Sequence, residues 1–239
     1  MKHIDTLHYI THLLTDYPIA QQVEDVCCGG CRWIQLRMKH ADTEERLATA
    51  QAIYPLVDRY RAKLIINDDA YVAKAVNAHG VHIGAEDMHP SDARHLLGPD
   101  KIIGCTANTL DDVLRLSQYD IDYIGLGPFR FTPTKEKLSP VLGHEGIHRI
   151  IAAARTHGIR IPIIAIGGIA IGDIDRLMGT GIYGVAVSKA IHGTMDKVAA
   201  CRAITAQLTA HNPFPTINYE SSITNHRSTK DERHLKNSR

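Results

Sequence analysis

Tyr123-Ile124-Gly125-Leu126-Gly127-Pro128-Phe129-Arg130-Phe131-Thr132-Pro133-Thr134-Lys135 joins a short apolar run to a segment rich in glycine, hydroxyl and cationic side chains. The first part has the length and apolarity of a buried strand, and a helical pattern resumes near Gly143. A chain leaving a strand in this way can bring backbone N–H groups, threonine hydroxyls and the Lys135 ammonium to one point, as a phosphate-bearing ligand needs. Gly, Pro and Thr also build ordinary loops, so the meaning of the stretch depends on its surroundings.

Working outward, the same unit recurs in both directions. Short β-branched runs at 8–11, 33–39, 63–67, 80–84, 101–106, 122–127, 161–167 and 184–188 read as strands. Amphipathic segments at 19–28, 43–60, 70–78, 90–97, 110–117, 143–157, 173–178 and 195–210 read as helices, with Thr43 as the cap of the second and Ser91 near the cap of the fourth. Strands apolar on both faces, each followed by a helix, predict an α/β protein: a closed (β/α)8 TIM barrel forming a single domain over 1–211, with an open doubly wound sheet as the rival. Asn212-Pro213-Phe214-Pro215 ends the last helix, and 212–239 reads as a disordered or loosely attached polar tail.

Composition limits the function. The 239 residues carry 27 basic and 26 acidic side chains, so no global field for nucleic acid or an anionic membrane is implied and any anion site must be local. Aromatic residues are too few for a base-stacking surface. Without a run of signal-peptide or membrane-spanning length, a soluble cytoplasmic protein is expected. Five cysteines fit reduced thiols better than a disulfide framework. Cys28-Gly29-Gly30-Cys31 and His144-Glu145-Gly146-Ile147-His148 match metal-binding patterns in letters, but a helix end explains the first pair of glycines and a fraying helix start weakens the second motif.

In such a barrel the chemistry belongs at the C-terminal ends of the strands. Those ends carry Gln35, Arg37 and Lys39, read as sharing one face, then Asn67-Asp68, Glu86-Asp87, Thr106, the Gly127–Lys135 loop, Gly167-Gly168 and Val187-Ser188. The last two pairs fall where barrels of this kind bind phosphate. Asp68, next to Asp69, could instead simply cap the following helix.

Gln35-Leu36-Arg37-Met38-Lys39, Ile66-Asn67-Asp68, Gly80-Val81-His82-Ile83-Gly84 with Asp87, Ile103-Gly104 with Thr106, Gly125-Leu126-Gly127-Pro128 with Thr132, Thr134 and Lys135, Ile166-Gly167-Gly168-Ile169 and Val185-Ala186-Val187-Ser188 follow one another in an order and spacing that resembles the thiamine-phosphate synthase family. The resemblance implies a transferase that joins an aminopyrimidine methyl diphosphate to a thiazole phosphate, releasing diphosphate and forming thiamine phosphate. It also implies that the C–O bond breaks largely ahead of attack. Asp68 and Asp87 would then hold Mg²⁺, and Lys39, Arg37, Lys135 and Thr106 would act on the leaving diphosphate. Gln35 would orient the pyrimidine edge, Asn67 would hydrogen-bond the diphosphate, and Gly168, Val187 and Ser188 would hold the thiazole phosphate. Thr132 and Thr134 would close over the pair, so that the opening stretch acts as a mobile cover. The partners implied are these two small molecules, not nucleic acid or membrane, and a homo-oligomer is left open.

The chain departs from the family pattern at Asn108, where many members have histidine, at Thr106, where serine is common, and at Phe129-Arg130-Phe131, which replaces an apolar-Phe-Pro lead. Two other readings share the barrel: the thiazole tautomerase branch, which lacks the metal and diphosphate residues, and a non-catalytic sensor of a thiamine precursor.

Overall fold

Eight parallel strands pair in sequence order and close on themselves: β1 (Leu7–Ile10), β2 (Trp33–Leu36), β3 (Lys63–Asn67), β4 (Gly80–Ile83), β5 (Ile102–Ala107), β6 (Tyr123–Leu126), β7 (Ile163–Ile166) and β8 (Gly184–Val187). The pairing of β8 with β1, with His8 opposite Ala186, excludes the open sheet. The computed structural model describes residues 2–131 and 140–211. Thr132, Thr134 and Lys135, the part of the expected cover beyond Phe131, and the 212–239 tail lie outside the described residues. Among the described residues no helix is long and apolar enough to cross a membrane.

Helices α1 (Ile19–Cys28), α2 (Thr43–Arg59), α3 (Ala70–Ala75), α4 (Pro90–Leu97), α5 (Leu110–Leu116), α6 (Gly143–Thr156) and α7 (Ile174–Met178) follow the first seven strands, and α8 (Lys189–His192) and α9 (Lys197–His211) follow β8. Three local expectations need correction. Strand β2 stops at Leu36, so Arg37 lies beyond it and Lys39 in the following turn; the alternation that would align them with Gln35 does not extend that far. Asp42 caps α2, its carboxylate accepting the Glu45 N–H at 2.8 Å, and Thr43 is the first helical residue. A carboxylate at that position also meets the positive end of the helix dipole, which a threonine hydroxyl cannot do. Helix α4 keeps its expected bounds, with His89 as the cap and Ser91 two residues after it. The short α8 was not anticipated, and α9 starts at Lys197 rather than at 195.

The core has two parts. The larger lies between the barrel wall and the helices, built from outward-facing residues such as Ile34, Leu36, Leu64, Ile66, Ile103 and Val185. The smaller, inside the barrel, consists of Ile4, Trp33, Ile65, Ile102, Tyr123, Ile164 and Ala186. Because side chains alternate along a strand, each inward series rises by two residues from this apolar plug toward the mouth. Trp33 gives way to Gln35, Ile65 to Asn67, and Ile102 through Gly104 to Thr106. The floor is polar again. The Tyr183 hydroxyl donates to the Ile4 carbonyl at 2.9 Å, and Asp122 receives Lys2 Nζ at 3.1 Å and Arg94 Nη2 at 2.7 Å.

Within the plug the Trp33 indole stacks on His8 at 4.2 Å between ring centroids and meets Tyr123 edge-on at 5.5 Å. Burial pushes the His8 imidazole down to about 3, so it contributes a neutral ring. Gly104 is required here by space: a Cβ would stand 2.1 Å from Tyr123 Cζ. Gly104→Ala is therefore expected to cost about 1–3 kcal/mol, read as a lowered urea midpoint at unchanged slope. Gly172→Ala, whose Cβ would meet nothing within 4 Å, is the control and should stay within about 0.5 kcal/mol of wild type.

Candidate active site

The ends of β2, β3, β4 and β5 bring the polar side chains of the mouth together. Gln35 and Asn67, both buried, are joined by a hydrogen bond from Gln35 Nε2 to Asn67 Oδ1 at 2.6 Å. Beside them His82 is buried at the top of β4, with Nδ1 2.9 Å from the Tyr123 hydroxyl and Nε2 2.9 Å from Thr106 Oγ1. Both ring nitrogens thus have partners, as a buried imidazole requires. His82 fixes the rotamer of Thr106, and Tyr123, rising from the plug, fixes His82.

Asp68 and Asp69 have separate tasks. Asp69 is the N-cap of α3, accepting the Val72 N–H at 2.9 Å and pairing with Arg46 Nη1 at 2.7 Å. The capping role considered for Asp68 belongs to its neighbour. Asp68 itself adopts a positive φ of 68°, with its own N–H bonded to the His82 carbonyl at 2.7 Å. This turn carries its carboxyl to the side chain of Asp87, within hydrogen-bonding reach. Asp87 is anchored by the Gly84 N–H, which donates to Oδ2 at 2.6 Å.

Asp68 is exposed as a residue, yet its carboxyl sits within the rim. Partial desolvation there and then the facing Asp87 charge push it up to about 7, while Arg37 and Arg46 oppose the rise. Two facing carboxylates on residues exposed at the rim form a donor set whose repulsion a hard divalent cation would relieve. Arg37 and Lys39 are half-buried on the β2 side of the same rim. Among the described residues no group of three or more His, Cys, Asp or Glu side chains could hold a metal, so a cation here would take its remaining ligands from water or substrate. Asp87 and Thr106 also border a cavity of about 100 Å³ that Met88, Cys105 and Arg115 help to line.

The opposite side of the mouth is made of backbone. Strands β7 and β8 run in register, Ile166 beside Ala186, so Gly168 and Ser188 leave the barrel at the same level. Gly167 and Gly168 have φ of 91° and 71°, a left-handed pair open to glycine at little cost. Val187 is buried and Ser188 opens the short α8. The root of the β6 loop is tied down: Asn108 Nδ2 donates to the Gly127 carbonyl, and the Phe129 N–H donates to the Ile166 carbonyl at 2.8 Å. Asn108 therefore has a structural task at a position where the family pattern often has histidine.

Of the expected site residues, Gln35, Asn67, Asp68, Asp87 and Thr106 converge through the contacts above, with Arg37 close enough to Asp68 to shift it. Gly168, Val187 and Ser188 occupy the other side. Sequence reasoning gave no role to His82 or Tyr123. His82 lay inside a quoted motif, and its inward phase two residues after Gly80 was the available signal. The two metal-like motifs are used otherwise. His144 packs edge-on against Phe129 at 4.8 Å and His148 is exposed on α6. Cys31 is buried with Sγ donating to the Trp33 carbonyl at 3.3 Å, while Cys28 lies on the surface, 3.2 Å from the Tyr60 hydroxyl.

A family model described as thiamine monophosphate synthase matches residues 7–191. The chain is 52% identical over 182 residues to the thiamine-phosphate synthase of Flavobacterium psychrophilum, an overlap covering 76% of this chain and 88% of that one. It is 46% identical over 199 residues to the thiamine-phosphate synthase of Bacteroides fragilis, covering 83% and 98%. Among solved structures it is similar to the thiamine phosphate pyrophosphorylase from Pyrococcus furiosus, with a TM-score of 0.76 at 30% identity, covering 86% of this chain and 96% of that one. Its likeness to a 3-hexulose-6-phosphate synthase, with a TM-score of 0.60 at 15% identity over 85% of this chain and all of the other, concerns the fold alone.

The raised carboxyl makes stability depend on pH. Between about 4 and 7 the folded chain holds a proton on Asp68 that the unfolded chain has released, so the ligand-free protein loses stability as pH rises through this window and levels off above it. Asp68→Asn should raise the melting temperature of the ligand-free protein more at pH 8 than at pH 5, by a few degrees at most given solvent screening. An equal gain at both values would mean that the carboxyl is not shifted.

Proposed function

The chain belongs to the thiamine monophosphate synthase family, and from that premise we propose that it is a transferase joining an aminopyrimidine methyl diphosphate to a thiazole phosphate, with release of diphosphate and formation of thiamine phosphate. The C–O bond of the pyrimidine substrate breaks, its electron pair leaving with the diphosphate, and the thiazole nitrogen lone pair forms the new C–N bond. The attacking nitrogen carries no proton, so no general base is needed, and bond breaking runs ahead of bond making on a pyrimidine able to stabilise the cation.

The observation that carries this reading is the Asp68–Asp87 carboxylate pair at the ends of adjacent strands, beside Arg37 and the Gln35–Asn67 amides. The donor set suits Mg²⁺, which Asp68 and Asp87 would hold and which would neutralise the departing diphosphate. The protein's own cations Arg37 and Lys39 act on the same leaving group, with Lys135 assigned there on sequence alone. The bond between Gln35 and Asn67 leaves Gln35 Oε1 as acceptor and Asn67 Nδ2 as donor, a complement to the amino group and ring nitrogen of an aminopyrimidine or to a phosphate oxygen. In the tautomer where His82 accepts from Tyr123, Nε2–H donates to Thr106 and leaves the threonine proton for the diphosphate. Gly168, Val187 and Ser188 hold the thiazole phosphate through backbone N–H groups, and Thr132 and Thr134 are assigned to cover the substrates on sequence alone. The carboxylate pair argues against the tautomerase branch. Chemistry on small soluble substrates fits a cytoplasmic enzyme.

Purified protein mixed with Mg²⁺ and both substrates should form thiamine phosphate and diphosphate; no product at any Mg²⁺ concentration overturns the reading. Asp87→Asn should raise the Mg²⁺ needed for half-maximal rate by about tenfold or more while changing thiazole phosphate binding less than about twofold. Equal loss of both would make Asp87 a structural residue.

A further inference from the structure

Arg130 lies where the β6 loop meets the turn after β7. Its main-chain N–H donates to the Gly167 carbonyl at 2.9 Å, and its Nη1 donates to the Gly168 carbonyl at 3.0 Å. The same guanidinium grips Asp173 with both nitrogens: Nη1 donates to Oδ2, and Nη2 to Oδ1 at 2.6 Å. Asp173 is buried and also receives the Ala170 N–H at 2.8 Å, which closes the far end of the turn. The Phe129 ring lies 4.6 Å from the guanidinium carbon.

An ion pair whose arginine is half exposed contributes little by itself. The two carbonyl contacts matter more. Left-handed successive glycines have no side chain to hold their peptide planes, so the turn is intrinsically loose. In a planar trans peptide the C=O and the following N–H point in opposite directions. Holding the Gly167 and Gly168 oxygens on the Arg130 side therefore directs the Gly168 and Ile169 N–H groups away from it.

We propose that Arg130 is a positioning residue that, through the Gly167 and Gly168 carbonyls, holds the Gly168 and Ile169 N–H groups in the orientation that receives the phosphate of the thiazole substrate. The inference rests on the reading above that this turn binds that phosphate. Asp173 is part of the same device, since it fixes the guanidinium plane from which Nη1 reaches Gly168.

The test is steady-state kinetics of wild type, Arg130→Met, Arg130→Lys and Asp173→Asn, each substrate varied in turn, with a thermal melt of every variant and inorganic phosphate as competitor. Arg130→Met should raise KM for the thiazole phosphate by about tenfold, leave kcat and KM for the pyrimidine diphosphate within about twofold, and weaken inhibition by inorganic phosphate in proportion. Arg130→Lys, with one ammonium in place of the fork, should fall between, and Asp173→Asn should shift the same KM in the same direction. If Arg130→Met does not fold, the other two variants decide. An equal rise in both KM values, or a lowered melting temperature with an unchanged thiazole phosphate KM, overturns the proposal. If wild type itself makes no thiamine phosphate, the functional reading falls and this inference with it; wild-type turnover with no effect of the substitutions removes the inference alone.

Discussion

The Tyr123 hydroxyl and the His82 imidazole meet where the barrel interior turns from apolar to polar. Below this contact a phenol, an indole and a neutral imidazole fill the space between strands; above it Gln35, Asn67 and Thr106 turn polar atoms to the mouth. A buried phenol oxygen or imidazole nitrogen left without a partner costs about 1–3 kcal/mol, and here each satisfies the other. The room for both rings comes from Gly104 and Gly125, where a side chain would run into Tyr123 and His82 respectively. Thr106, at the end of this column, is held by a scaffold that reaches to the floor of the barrel.

The mouth divides its polar work between two kinds of group. On the side of β2 to β4 stand carboxylates and cations of opposing charge. On the side of β7 and β8 stand peptide groups of fixed direction. In the proposed reaction the two substrates make different demands. The diphosphate must be drawn off as its charge grows, which charged groups already in place do well. The thiazole phosphate does not react and has only to be kept in place, which rigid neutral donors do without adding field to the reacting carbon.

How much of this the sequence disclosed follows from the range of each interaction. The barrel was legible because each wall strand is apolar on its outer face and followed by a helix, a local pattern repeated around the ring. The ends of the strands were legible as a set for the same reason. The Tyr123–His82–Thr106 column was not, because its members lie on β6, β4 and β5 and come together only through the register of three neighbouring strands, which sets both Tyr123 and His82 opposite Gly104. Asn67-Asp68-Asp69 shows the limit at short range: one aspartate caps a helix and the other meets Asp87, and the backbone angle of Asp68 that separates them is invisible in the letters. Arg130 read as an oddity of the loop because its partner, Asp173, is 43 positions away.

The chain has a single tryptophan, and the barrel keeps it fully buried, stacked on His8 in the dry plug. Its fluorescence is therefore a reporter placed inside the scaffold and shielded from solvent at the rim. Unfolding of the barrel will shift its emission to the red as water reaches the indole. Binding at the mouth can reach it through Tyr123, which touches both the indole and His82. The intensity of one residue thus separates loss of the scaffold from events at its open end, with no label introduced.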